Sequence, residues 1–121
     1  MLSSKDYGSA GEKQACDFLT RRGCRILATN YRTRYGEIDI IARHGKILCF
    51  VEVKSRQVEL QGHPFEAVTL AKQRSISRAA LLYLQEHEAG DVAVRFDVIA
   101  VRGSGTENIE WLPNAFDARE T

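Results

Sequence analysis

An α/β fold, with a mixed β-sheet flanked by helices, is the fold class this sequence predicts, and three observations lead to it. Residues 5–22 and 65–87 carry apolar side chains at helical spacing. Residues 24–31, 36–42, 50–54 and 92–101 are rich in β-branched and aromatic residues, with apolar and polar positions alternating. Glycine, proline or a polar stretch stands at the joints between these segments. The order is helix, three strands, long helix, strand and a last edge strand. At 121 residues the whole chain, 1–121, is expected to form one domain around one core.

In the first helix Ala10, Ala15, Cys16, Phe18 and Leu19 make the apolar stripe, and Gly23 stands at the C-terminal stop. Cys24–Tyr31 reads as a strand, followed by a turn around residues 32–35. The next two strands, 36–42 and 50–54, form a hairpin whose loop is read as His44-Gly45, since glycine tolerates positive φ. That loop pairs Arg43 with Lys46, Glu37 with Glu52 and Asp39 with Phe50. It leaves Ile38, Ile40, Ala42, Val51 and Val53 as the apolar face. Residues 55–64 are a polar loop. Phe65–His87 is the long helix, with a break expected near Val68-Thr69 and an end by Gly90. Val92–Val101 is a strand, and Asn108–Leu112 an edge strand closed by Pro113. Because a long helix connects them, the third and fourth strands are expected to run parallel through a right-handed crossover.

Composition excludes several classes. The net charge is +1, and 44% hydrophobic with 27% charged residues is an ordinary globular balance. No apolar run reaches membrane-spanning length and the N-terminus lacks an apolar leader, so the expected location is cytoplasmic. Cys16, Cys24 and Cys49 show no CxxC spacing and read as buried thiols in a reducing compartment. His44, His63 and His87 share no motif. Tyr31, Phe50 and Trp111 read as packing residues. Charge is unevenly distributed: residues 1–78 hold 14 Lys/Arg against 8 Asp/Glu, whereas residues 79–121 hold 3 against 8. A basic first half suits a phosphate-tracking surface, and scattered solvated charges would give the same count.

The chemistry concentrates on the hairpin. Asp39 on one strand is diagonal to Glu52 on the next, and Lys54 shares the face of Glu52. Diagonal cross-strand neighbours lie about 7–8 Å apart, within reach of one bridging cation. An isolated Glu-x-Lys on a strand is commonplace. Two carboxylates and an amine gathered at one spot are the ingredients of a metal site.

These residues resemble the PD-(D/E)xK signature of the restriction-endonuclease-like superfamily. Asp39 takes the first acidic position and Glu52-Val53-Lys54 the triplet, while Ile38 stands where the signature has proline. Glu12, in Gly8-Ser9-Ala10-Gly11-Glu12, is similar to the first-helix glutamate of the Holliday-junction-resolvase-like branch. More narrowly the chain resembles the bacterial YraN family of small endonuclease-like proteins. That likeness rests on those stretches and on Asn30-Tyr31-Arg32, Ser55-Arg56, Ala67-Val68-Thr69, Lys72-Gln73-Arg74 and Arg95-Phe96-Asp97-Val98.

The resemblance implies a restriction-endonuclease-like sheet and a metal-dependent endonuclease acting on nucleic acid, DNA rather than RNA, including branched structures. Asp39 and Glu52 would hold Mg²⁺ or Mn²⁺, with the Val53 carbonyl as a further ligand. Lys54 would position water or stabilise charge on phosphorus, Glu12 would complete the acidic cluster, and Gln73 would be an auxiliary polar residue. Arg32, Arg34, Arg56, Lys72 and Arg74 would contact nucleic acid. Glu37 has two readings, a second ion or an ordinary ion pair. A homodimer is implied by resolvase relatives, with the edge near Ile109–Leu112 as its candidate surface. The competing reading is a catalytically inactive, nuclease-like binding or adaptor protein of DNA repair or recombination.

Overall fold

The computed structural model describes residues 10–54, 68–102 and 108–119. Its elements are α1 (Ala10–Arg21), β1 (Cys24–Thr33), β2 (Gly36–His44), β3 (Ile47–Lys54), α2 (Leu70–Glu86), β4 (Ala93–Val101) and β5 (Ile109–Phe116). The five strands lie in chain order in one sheet. Only β3 and β4 pair in parallel; the other neighbours are antiparallel. This is the expected mixed sheet, with one helix packed on each face.

Each face has its own core. On one side Ala15, Cys16 and Leu19 of α1 meet Ile40, Ala42, Cys49, Val51 and Ile99. On the other, Ile76, Ala79, Ala80 and Tyr83 of α2 meet Ile41, Leu48, Phe50, Phe96 and Val98. Strand β3 therefore alternates cleanly, with Phe50 toward α2 and its neighbours Cys49 and Val51 toward α1. Phe50 is 1% exposed and packs its ring on Phe96 and Tyr83, with centroids 5.7 and 5.9 Å away.

The hairpin differs from the expected one in register. Pairs run His44↔Ile47, Ala42↔Cys49 and Ile40↔Val51, so the loop is Gly45-Lys46 and not His44-Gly45. Gly45 has φ 63 and occupies the first of the two loop positions, which a type II′ hairpin reserves for glycine. The displacement is two residues along β3. Since side chains alternate with a period of two, the slip by itself moves no side chain to the other face. Continued one step beyond Ile40↔Val51, this register sets Asp39 opposite Glu52 itself.

That one step is where the ladder is interrupted. Asn30 in β1 has φ 52, and the recorded β1–β2 partners skip the Asn30/Asp39 position between Thr29↔Ile40 and Tyr31↔Ile38. Ile38 and Ile41, three residues apart, both belong to the α2-side core, as do Ala28 and Tyr31 on β1. Alternation is thus broken at Asn30 and Asp39. Ile38 leaves the face that Ile40 and Ala42 share, contrary to the strict alternation expected of it.

The remaining corrections concern element ends. Helix α2 begins at Leu70, with Thr69 as its N-cap: its Oγ1 accepts the Lys72 N–H at 3.2 Å. The expected break at Val68-Thr69 is therefore a helix start, and residues 65–67 lie outside the described residues, as does the loop read at 55–64. Strand β5 runs through Pro113 to Phe116 instead of stopping at Leu112. As an edge strand it tolerates a residue without an N–H. There β4 and β5 pair Val98↔Leu112 and then Phe96↔Phe116, which sets Pro113, Asn114 and Ala115 opposite the single residue Asp97. Asn114, at φ 55, turns its N–H onto the Asp97 carboxylate at 3.0 Å.

Candidate active site

The interruption at Asp39 has a chemical consequence. With β2–β3 pairing ended at Ile40↔Val51, the Val53 N–H donates to Asp39 Oδ2 at 2.8 Å. A side-chain carboxylate has taken the place of a ladder carbonyl. This fixes Asp39 against the end of β3, beside the next residue toward α2, Glu52.

Glu52 is 5% exposed. Its Oε2 lies 3.6 Å from Lys54 Nζ, two residues along the same face, and 3.7 Å from Lys72 Nζ, which reaches down from the first turn of α2. Its Oε1 is buried with no hydrogen-bond partner among the described residues. Burial, then the Glu52 charge, then a hydrogen bond that protonated Asp39 makes to Glu52 push the Asp39 carboxyl up to about 7. The Val53 N–H and Lys72 pull the other way. An orphaned buried carboxylate oxygen beside a second carboxylate that resists ionisation is costly without a positive charge between them.

The residues fit a hard divalent cation on those grounds. It would ligate Glu52 Oε1 and offset the repulsion between the two acids. Among the described residues no three His, Cys, Asp or Glu side chains gather into a metal-binding group. Mg²⁺ is commonly held by one or two carboxylates, with waters and substrate phosphate completing its shell.

A pH dependence follows. Between the ordinary carboxyl value of 3.8 and about 7, the folded chain keeps a proton at Asp39 that the unfolded chain has released. The stability of metal-free protein should therefore fall as pH rises through that window. Melting curves of wild type and Asp39→Asn at matched pH test this. The variant is expected to lack that part of the decline, and identical profiles would contradict the assignment.

Asp39, Glu52, Lys54 and Lys72 are thus brought together. Glu12 is buried at 7% exposure in the first turn of α1, where its charge, after burial itself, helps push the Cys16 thiol up to about 12. Gln73 is a buried connector: its Nε2 donates to the Val68 carbonyl at 3.0 Å and its Oε1 accepts from Arg119 Nε at 2.9 Å. It braces the start of α2 and hence the root of Lys72. Glu37 lies 3.6 Å from Arg32, an ion pair on the exposed surface. Arg34 lies against Tyr35, Arg74 is exposed on α2, and Arg56 lies outside the described residues.

Sequence reasoning misses two things here. It reads Lys72 as a phosphate contact, and only the packing of α2 over the end of β3 brings its charge to Glu52. It reads Asp97, which is fully buried, only as an alternating strand residue. Asp97 accepts from Arg95 Nε at 2.8 Å and Nη2 at 3.0 Å, from Trp111 Nε1 at 3.0 Å and from the Asn114 N–H. The available signal is Arg-x-Asp on one face of a buried strand.

Comparison with known proteins adds the lineage. The profile of the family described as "Uncharacterised protein family UPF0102" matches residues 11–101. A UPF0102 protein of Syntrophotalea carbinolica is 51% identical over 111 residues, covering 91% of this chain and 90% of its own. Another, from Geobacter metallireducens, is 49% identical over 117 residues, covering 96% of both chains. One from Myxococcus xanthus is 42% identical over 115 residues, covering 94% of this chain and 91% of its own.

Proposed function

The chain belongs to the UPF0102 family, and from that membership and the geometry at Asp39 and Glu52 we propose that it is a metal-dependent endonuclease of the restriction-endonuclease-like kind. Its substrate in this reading is nucleic acid, DNA in preference to RNA, and the reaction is phosphodiester hydrolysis. The observation that carries the reading is Glu52 Oε1, buried beside Asp39 and without a hydrogen-bond partner among the described residues, on a strand whose next residue on the same face is a lysine.

Asp39 and Glu52 would hold Mg²⁺ or Mn²⁺, with the Val53 carbonyl between Glu52 and Lys54 as a further oxygen. Bound there, the ion supplies Lewis-acid polarisation of the scissile phosphate and a lowered pKa for an attacking water. The protein's own groups do the rest. The Val53 N–H fixes one oxygen of Asp39, so that carboxylate is oriented before substrate arrives. Lys54, 19% exposed, stays at the site to hold the water or to balance charge building on phosphorus. Lys72, 41% exposed and only loosely paired at 3.7 Å, is free to exchange Glu52 for a substrate phosphate. A membrane role gains no support, since among the described residues no helix is long and apolar enough to cross a bilayer.

The test is incubation of labelled linear, nicked, flapped and four-way DNA, with matched RNA, in Mg²⁺, Mn²⁺ or chelator. Cleavage of at least one DNA structure that stops in chelator is expected. Salt-sensitive binding with no cleavage in either metal would favour the non-cutting, nucleic-acid-binding reading instead.

A further inference from the structure

The turn joining β1 to β2 is built more firmly than a solvent-exposed connection requires. Thr33 Oγ1 accepts the N–H groups of Tyr35 at 3.0 Å and Gly36 at 3.2 Å, and donates to the Gly36 carbonyl at 2.9 Å. From below, Ser75 of α2 donates its hydroxyl to the Tyr35 carbonyl. The approach is so close that a Cβ on Gly36 would stand 2.0 Å from Ser75 Oγ. This bracing presents one large aromatic side chain to solvent, Tyr35, at 36% exposure.

Two guanidinium groups from different elements flank that ring. Arg34 lies over it at 4.9 Å from the centroid and donates to the phenol oxygen at 2.8 Å. Arg78 of α2 approaches to 5.9 Å. Among the described residues neither arginine makes an ion pair, and Glu37, two residues past Tyr35, is with Arg32. The surface offers stacking planes together with positive charge that no described residue neutralises in an ion pair. Gly36, adjacent to Tyr35, opens the strand that carries Asp39 three residues on, about 10 Å at the usual rise of a strand. That is about three steps of a stacked nucleic-acid strand.

We propose that this turn is a stacking platform for an unpaired base of a single-stranded DNA segment, with Tyr35 and Arg34 as the stacking surfaces and Arg78 as a phosphate contact. The proposal deepens the endonuclease reading and rests on it for what lies at the far end of the strand. Aromatic rings and guanidinium planes both accept bases without regard to sequence, because every base has a π-face. The interior of an intact duplex has no free face to offer. The platform therefore selects substrates with an unpaired stretch a few nucleotides from the cleaved bond.

The experiment is fluorescence anisotropy in chelator, where cutting is suppressed, with labelled single-stranded and blunt duplex DNA. The proteins are wild type, Tyr35→Ala and Tyr35→Phe. Loss of the ring is expected to weaken single-strand binding about 5- to 150-fold, the range one stacked base is worth, and duplex binding less than about twofold. Tyr35→Phe should stay near wild type. Equal weakening on both DNAs, no weakening, or no single-strand binding by wild type would overturn the platform. Metal-dependent cleavage is assayed separately. Its absence beside a selective Tyr35→Ala loss would defeat the nuclease reading and leave the platform standing.

Discussion

Glu52→Gln and Lys54→Ala proteins are expected to fold and to lose metal-dependent cleavage by about 10²- to 10³-fold or more, the cost of removing one preorganised charge from a transition state. The two losses should differ in kind. Glu52→Gln keeps the shape of the side chain but removes the charge that holds the ion, so raising the Mn²⁺ concentration should restore part of the rate. Lys54 touches water or phosphate rather than metal, and extra Mn²⁺ should not rescue Lys54→Ala. Stability sharpens the test. Glu52 Oε1 is buried without a partner among the described residues, and the Glu52 charge helps raise the carboxyl of Asp39. Removing that charge should leave the metal-free protein at least as stable as wild type, the usual relation where a strained site serves function. Loss of cleavage with a raised melting temperature separates a functional carboxylate from a structural one. A lowered melting temperature with proportional loss of activity would argue for a structural role.

Asp97→Ala should have the largest effect on folding, destabilising the protein by about 3–5 kcal/mol, the cost of breaking a buried ion pair by removing one partner. The carboxylate is fully buried and accepts from Arg95, Trp111 and the backbone of Asn114. Without it the Arg95 guanidinium, at 16% exposure, loses its counter-charge and two further donors lose their acceptor. The β5 bulge at Pro113–Ala115 loses the group it wraps. Against a typical total of about 5–15 kcal/mol, such a change lowers the melting temperature by roughly 10–20 °C. Urea unfolding of wild type, Asp97→Ala and Asp97→Asn measures it, with the asparagine protein expected between the other two. Trp111 packs on the α1-side core, across the sheet from Glu52. Whatever Asp97→Ala remains folded should therefore keep wild-type cleavage per folded molecule.

What the sequence reveals of the site is parity, and what it misses is position. Alternation in Gly36–Ala42 and Phe50–Lys54 is enough to put Asp39, Glu52 and Lys54 together, because a two-residue error in pairing returns each side chain to the same face. The error comes from the turn. His44-Gly45 and Gly45-Lys46 both satisfy the glycine rule, and since either pairing leaves Leu48 and Phe50 on the α2 face, alternation does not decide between them. The interruption at Asn30 is not legible, since asparagine tolerates the left-handed region but nothing in a local pattern fixes it there inside a strand. Ile38 is misassigned for that reason. The same holds for Gln73 and Lys72, whose partners Arg119 and Glu52 are 46 and 20 positions away in sequence. Pro113 misleads because its missing N–H ends a central strand but not an edge strand.

Diffraction from a Mn²⁺-soaked crystal at the manganese absorption edge is the most direct measurement of the central claim. The expected result is one anomalous peak within about 2–2.5 Å of a carboxylate oxygen of both Asp39 and Glu52, the reach of a hard cation. Its disappearance in crystals of Asp39→Asn/Glu52→Gln would complete the result. No peak between those two side chains at saturating Mn²⁺, or the same peak in the double variant, would contradict it.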